Sequence, residues 1–136
     1  MLIVDTNVVA YLLIQGDQTV AAQELHRADP DWRSEAFLLT EFTNVLASSI
    51  AAKRMTFTLA HGFLIRALQL LEGKLARIDH ATVLTIATQY RISAYDARFL
   101  ALANQLGRRL VTEDVRLRAA APKLTQSLAQ ALAELA

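Results

Sequence analysis

Short apolar segments that alternate with helical segments constrain the fold of this chain most strongly. Residues 1–4 are apolar and lead into a helical segment, and the same order returns late in the chain at residues 109–112. Strands that alternate with helices form a parallel sheet with helices on both faces. The length of 136 residues suits a single core. We therefore predict one α/β domain over residues 1–136, with three layers (α/β/α) and a short, mostly parallel central sheet.

Local sequence signals place the individual elements. Strands are predicted at residues 1–4, 32–34, 75–78, 109–112 and 123–125, and helices at 8–14, 19–28, 37–53, 58–72, 81–90, 95–106 and 128–135, with a short helix after Asp114. The helices at 37–53 and 58–72 should form a hairpin. The second carries an apolar stripe that we expect to be chiefly core, with part of the hairpin left for a partner: Leu59, Phe63, Leu64, Leu68 and Leu71.

Composition excludes several classes of function. The chain has no cysteine, so disulfides, thiolate zinc sites and thiol nucleophiles are excluded. The longest apolar run, VVAYLLI at residues 8–14, is far shorter than the roughly 20 residues that span a bilayer. Asp5 interrupts the apolar amino terminus, which does not read as a secretion signal. We expect a cytoplasmic protein without membrane contact.

Four acidic residues are the strongest functional signal. Asp5 follows the first predicted strand, Asp114 follows a late one, Glu41 lies inside a helix, and Asp96 lies near the start of another helix. Ligands of parallel sheets bind outside the carboxyl ends of the strands. Gathered carboxylates repel one another, and a bound cation or a retained proton relieves the repulsion. The acids therefore predict a metal site built from carboxylates.

Each acid also has a structural explanation. Asp5, Asp96 and Asp114 stand where aspartate commonly caps helices or favours their first turn. Glu41 is harder to explain in this way, because it lies on an apolar stripe one turn before Val45. An ionised carboxylate buried there needs a base, a metal or an exit to solvent.

The amino-acid sequence around the four acids resembles that of a known family. The segments IVDTNVVAYLL, LLTEFTNVL, SAYDARFLALANQLG and LVTEDVRL follow one another, and their acids are 36, 55 and 18 positions apart. In this order they resemble a PIN-domain ribonuclease of the VapC toxin type, over essentially the whole chain. The resemblance implies a homodimer that cleaves RNA as the toxin of a toxin–antitoxin pair and is inhibited by a cognate antitoxin protein.

The resemblance also implies roles for individual residues. Asp5, Glu41, Asp96 and Asp114 would form the acidic quartet that holds Mg²⁺ or Mn²⁺. By the same resemblance, Thr6 and Asn7 would shape the first turn, and the hydroxyl of Thr112 would support the site. Glu113 adds a carboxylate beside Asp114, and either could face the metal, although the usual spacing favours Asp114. The expected reaction is phosphodiester hydrolysis by in-line attack of water.

Basic residues are concentrated in the carboxyl-terminal half, which would suit an anionic substrate. Arg98, Arg108 and Arg116 are candidate phosphate contacts, with solvated helix faces as the alternative. Tyr95, beside Asp96, could stack on a base, although packing is the favoured role.

The sequence leaves two other functions open. A PIN-like module that only binds RNA or protein would be expected to lack some of the acids, and all four are present. A metal-dependent phosphatase also places an aspartate after its first strand, but that chemistry wants a second acid two residues later, where this chain has Asn7.

Overall fold

The computed structural model describes all 136 residues and confirms the three-layer α/β/α architecture. The strands are β1 (Leu2–Val4), β2 (Trp32–Glu35), β3 (Leu75–Ala76), β4 (Leu110–Val111) and β5 (Thr125–Gln126). The helices are α1 (Thr6–Leu13), α2 (Thr19–Ala28), α3 (Phe37–Ala51), α4 (Phe57–Leu70), α5 (His80–Tyr90), α6 (Ala94–Gln105), α7 (Val115–Ala120) and α8 (Leu128–Leu135). Every strand pair is parallel, so the sheet is wholly rather than mostly parallel.

The strand order reverses in the middle of the sheet. The order is β3-β2-β1-β4-β5, so the chain builds outward from β1 to β3 and then crosses to the other side of β1. Val4 of β1 lies opposite Val111 of β4 at this crossing point. A crevice forms outside the carboxyl ends of two strands whose connections run in opposite directions, and ligands of open α/β sheets bind there. Any ligand site is therefore expected just beyond β1 and β4.

Helices cover both faces of the sheet. Helix α6 lies against β1, β2 and β4, and α5 packs on α6. Helix α1 packs against α2, α3 and α4, while α8 packs on α2. Strand β1 is buried along its whole length, which explains its continuous LIV sequence, since a strand covered on both faces shows no polar alternation.

Helix α4 is less buried than the sequence suggests. Leu71 is buried and Phe63 and Leu64 are half-buried, but Leu59 and Leu68 are 51% and 43% exposed. The prediction that this stripe is chiefly core is therefore wrong for two of its five members. No helix in the chain combines the length and apolar character needed to cross a membrane.

Candidate active site

One cavity of about 590 Å³ opens where the strand order reverses. Its walls come from the turn after β1, the first half of α3, the start of α6 and the segment after β4. The predicted acids all line it, as do two of the predicted supporting residues: Asp5, Glu41, Asp96, Asp114, Thr6 and Asn7. The structure therefore brings together four carboxylates that are far apart in the sequence.

Asp5 is both a helix cap and a buried acid. Its Oδ1 accepts a hydrogen bond from the Val8 N–H at 3.2 Å, which caps α1, and the residue is only 9% exposed. The pKa of Asp5 is raised to about 6, chiefly by burial and also by the negative charges of Glu41 and Asp114, while the Thr112 hydroxyl and the Val8 N–H oppose the rise. Asp5 therefore holds its proton more tightly than an exposed aspartate.

Glu41 has a hydroxyl partner instead of a base. The Thr6 hydroxyl donates a hydrogen bond of 2.6 Å to Glu41 Oε1. Burial raises the pKa of Glu41, the Thr6 hydrogen bond lowers it, and the negative charge of Asp96 raises it. No lysine or arginine pairs with this carboxylate, so the charge expected on the apolar stripe is not neutralised by the protein.

The remaining two acids stand at the beginnings of helices. The Asp96 N–H donates to Ser93 Oγ at 3.0 Å in the first turn of α6. Burial raises the pKa of Asp96, as does the charge of Asp114, and the Ser93 interaction lowers it. Asp114 caps α7, with Oδ1 accepting from the Arg116 N–H at 2.9 Å and the Leu117 N–H at 3.1 Å. Cap geometry thus fixes the carboxylate of Asp114 and the backbone of Asp96 at the cavity wall.

The neighbouring acid Glu113 does not line the cavity. Its Oε1 accepts a hydrogen bond from the Leu128 N–H at 2.7 Å, at the start of α8, and its Oε2 lies 3.7 Å from Arg118 Nη1. Asp114 is therefore the one of the two acids that faces the cavity. Thr112, which is fully buried, accepts the Asp114 N–H at 3.1 Å and so supports the turn that presents it.

Arg98 is turned away from the acidic cavity. Its Nη1 pairs with Glu35 Oε2 at 3.1 Å and its Nη2 meets His80 Nδ1 at 2.9 Å. Glu35, which sequence reasoning missed, is 1% exposed at the end of β2, and its other oxygen accepts from the Phe37 N–H at 2.8 Å. Its position at a strand end, like that of Asp5, was the available signal. Arg98 is thus engaged in an ion pair with a buried carboxylate, and its role as a phosphate contact stays a prediction.

The other two candidate arginines occupy opposite ends of the sheet. Arg108 precedes β4 and lines a separate cavity with Met1 and Asp29, at the amino ends of the strands, so it is not brought to the acids. Arg116 lies directly beyond Asp114 and is exposed, with no side-chain hydrogen bond. None of the three side chains lines the acidic cavity, and Arg116 contacts an acid through its backbone N–H alone.

Comparison with known proteins identifies the family and the fold of this chain. The PIN domain family matches residues 2–123 of the chain. The chain belongs to the PIN domain family. The crystal structure of PAE2754 from Pyrobaculum aerophilum is similar to this PIN domain, with a TM-score of 0.75 and 18% sequence identity over 98% of this chain and 93% of the other. At that identity the likeness concerns the fold alone. No curated protein matches the chain.

The PIN domain is in general a nuclease fold, and PIN nucleases usually use divalent metals. The donors on this cavity are oxygens, which hard cations such as Mg²⁺ and Mn²⁺ prefer. No three of the acids, or of any histidine and acidic residues in the chain, lie close enough together to hold an ion. The carboxylate oxygens of this PIN domain fit such a cation by their chemistry. Because they do not form a complete ligand cage, water would supply the remaining ligands.

Proposed function

We propose that this PIN domain is a metal-dependent endoribonuclease that hydrolyses phosphodiester bonds of RNA. One observation carries the proposal: Asp5, Glu41, Asp96 and Asp114 line a single cavity at the point where the strand order reverses. Burial and mutual repulsion raise the pKa of the first three. Groups that a protein gathers at such a cost in a cleft are candidates for a functional site.

We further propose Mg²⁺ or Mn²⁺ as the cofactor, with Asp5, Glu41 and Asp96 as its main ligands, directly or through water. Mg²⁺ retains several waters and takes only one or two carboxylates directly, which suits acids that do not form a tight cage. The bound cation would lower the pKa of a water and neutralise charge on the scissile phosphate.

The chain itself would position the acids for this chemistry. The Thr6 hydroxyl fixes one oxygen of Glu41, and the Val8 N–H fixes one oxygen of Asp5. The first turn of α7 holds Oδ1 of Asp114, so this carboxylate would complete the pocket and orient the attacking water. Residues locked by such hydrogen bonds lose little freedom when the substrate binds.

The role as the toxin of a toxin–antitoxin pair is supported by the resemblance of the four acidic motifs and by a free apolar surface. On α4, Phe57 is 70% exposed and Ile65 is 40% exposed, in addition to Leu59 and Leu68. A groove of about 540 Å³ runs between this helix and β3. A protein surface of this kind suits a cognate antitoxin or a second copy of the chain. We also propose that the protein is cytoplasmic, where it would encounter its RNA substrate.

The deciding experiment is cleavage of a labelled structured RNA by wild type and by Asp5→Asn, each with Mg²⁺, Mn²⁺ or EDTA. We expect cleavage by the wild type with either metal, none in EDTA, and none by the variant. The matched control is Asp17→Asn, which removes an exposed carboxylate outside the cavity and should cleave like wild type. Cleavage in EDTA, or undiminished cleavage by Asp5→Asn, would contradict the proposed mechanism.

Expression in a bacterial host tests the toxin role separately. Wild type should arrest growth, whereas Asp5→Asn at the same protein level should not. If the wild type binds RNA without cleaving any and without affecting growth, the non-catalytic binding module becomes the better description. Light scattering of the purified protein tests the proposed homodimer.

A further inference from the structure

A second, smaller cavity adjoins the acidic one. It encloses about 240 Å³ and shares Phe37, Thr40 and Tyr95 with the larger cavity. Its remaining walls include Arg77 and Arg98. The two cavities therefore meet at an aromatic wall, with carboxylates on one side and cations on the other.

The aromatic wall, formed by Phe37 and Tyr95, is a preorganised stacking surface. The rings of Phe37 and Tyr95 lie 5.3 Å apart at an interplanar angle of 12°. Phe37 is half-buried, with the Arg98 guanidinium 5.9 Å from its ring centre. Tyr95 is 62% exposed, although its ring is held against Phe37. One face of the Tyr95 ring is therefore covered, and the exposed remainder is available to another flat group.

The available positive charge in the smaller cavity belongs to Arg77. Arg98 is compensated by the buried carboxylate of Glu35 at 3.1 Å. Arg77, in the loop that follows β3, is exposed and makes no side-chain hydrogen bond or ion pair with the protein. A cation without a protein partner beside a cavity is free to contact an anion.

We propose that Tyr95 and Arg77 form a nucleotide-binding subsite beside the cleavage centre. The base of a nucleotide that flanks the scissile phosphate stacks on the free face of Tyr95, and a neighbouring phosphate contacts Arg77. This assignment rests on the proposed function, because it places the scissile phosphate at the acids. A base inside a duplex has no free face to offer, so the subsite selects single-stranded RNA.

Packing alone does not account for the position of Tyr95. A tyrosine that serves mainly as core is buried by its neighbours, whereas this one retains most of its surface in solvent beside Asp96. Its neighbour in space is another ring that fixes its orientation, which lowers the entropy lost when a base stacks on it.

The test is binding of a labelled single-stranded RNA oligonucleotide, measured by fluorescence anisotropy in an Asp5→Asn background that does not cleave it. Adding Tyr95→Ala should weaken binding by roughly 5- to 150-fold, the effect of losing one base–aromatic stack. Adding Tyr95→Phe keeps the ring and should preserve affinity. Adding Arg77→Ala should flatten the slope of log affinity against log salt by about 0.7.

Matched controls come from exposed residues outside both cavities. Leu84 of α5 is a large apolar side chain that is 67% exposed and lines neither cavity. Arg27 is an exposed arginine in the last turn of α2 and also lines neither cavity. Leu84→Ala and Arg27→Ala should each leave affinity within about twofold. Circular dichroism should show that every variant is folded.

Each outcome separates the subsite from the nuclease. Loss of affinity with Tyr95→Ala and a flatter salt slope with Arg77→Ala, with a duplex of the same sequence binding weakly, would support the subsite even if the wild type cleaved nothing. Unchanged binding in both variants, or no RNA binding at all in the Asp5→Asn background, would overturn it. Metal-dependent cleavage by the wild type would stand in either case.

Discussion

The buried carboxyl of Asp5 predicts an unusual dependence of stability on pH. In the metal-free protein, Asp5→Asn should be stabilising at neutral and alkaline pH. Asparagine has nearly the same size as aspartate and can accept the same hydrogen bond from the Val8 N–H that caps α1. It carries no charge, so the substitution removes the cost of burying an ionised group and leaves the cap in place.

The magnitude follows from the pKa. Burial moves the pKa of Asp5 from 3.8 to about 6, whereas the unfolded chain keeps the ordinary value. The folded state therefore binds the proton more tightly, and ionisation of Asp5 reduces the free energy of unfolding by about 3 kcal/mol. This loss is absent below pH 3.8, grows as pH rises, and is complete above pH 6. Wild type and Asp5→Asn should be nearly equal at pH 4 and differ by about 3 kcal/mol at pH 8.

Urea unfolding in EDTA, followed by circular dichroism between pH 4 and pH 8, measures this difference. With slopes of about 1–3 kcal/mol per molar urea, the midpoint of the variant should lie roughly 1–3 M higher at pH 8. Asp17→Asn, which removes an exposed carboxylate, should show no difference that develops across this pH range.

Two results would refute the reasoning. The first is a difference between wild type and Asp5→Asn that stays constant with pH. The second is a wild type that is more stable than the variant at pH 8 without metal. Magnesium provides a further check, because a free concentration of 100 times the dissociation constant should restore about 2.7 kcal/mol to the wild type and much less to the variant. The gap at pH 8 should then nearly close.

Three further substitutions test the packing around the site by urea unfolding. Glu35→Ala leaves the half-buried Arg98 guanidinium without its carboxylate and should cost about 3–5 kcal/mol, the usual effect of removing one partner of a buried pair. Ser127→Ala removes the hydrogen bond from the Gln130 N–H in the capping box of α8 and should cost about 1 kcal/mol. Phe42→Ala empties a fully buried position of α3 and should cost about 3–5 kcal/mol. An unchanged free energy of unfolding in any of the three variants would contradict the stabilising role of the contact that it removes.

The sheet and the helix starts could be predicted because their causes are local. The alternation of apolar and helical segments was enough to predict the α/β layers. The capping box of Ser127 and Gln130, which begins α8, is a pattern within four residues and depends on no distant partner. The strand pairing is not local, since β1 lies between β2 and β4, and the lengths of the two-residue strands depend on those partners.

The residues of the candidate site could be predicted only where their position along a strand or helix determines whether the side chain reaches the cavity. Asp5 and Asp114 follow strands that are neighbours in the sheet. Arg98 is two residues from Asp96 in α6, and side chains two residues apart on a helix do not face each other. Arg108 precedes β4 and therefore lies at the amino end of a strand, opposite the acids. Only a distant contact explains why Glu113 does not line the cavity.

Through the hydrogen bond between Leu128 and Glu113, the carboxyl-terminal helix α8 affects the negative charge next to the candidate site. Glu113 is held by the Leu128 N–H at the first turn of α8, although the carboxylate next to it in sequence, Asp114, lines the cavity. Truncation before α8 would release a fifth carboxylate beside the quartet and change the local charge without touching any of the four acids. Tail deletions in this protein should therefore be designed, and their phenotypes interpreted, as changes to the candidate active site.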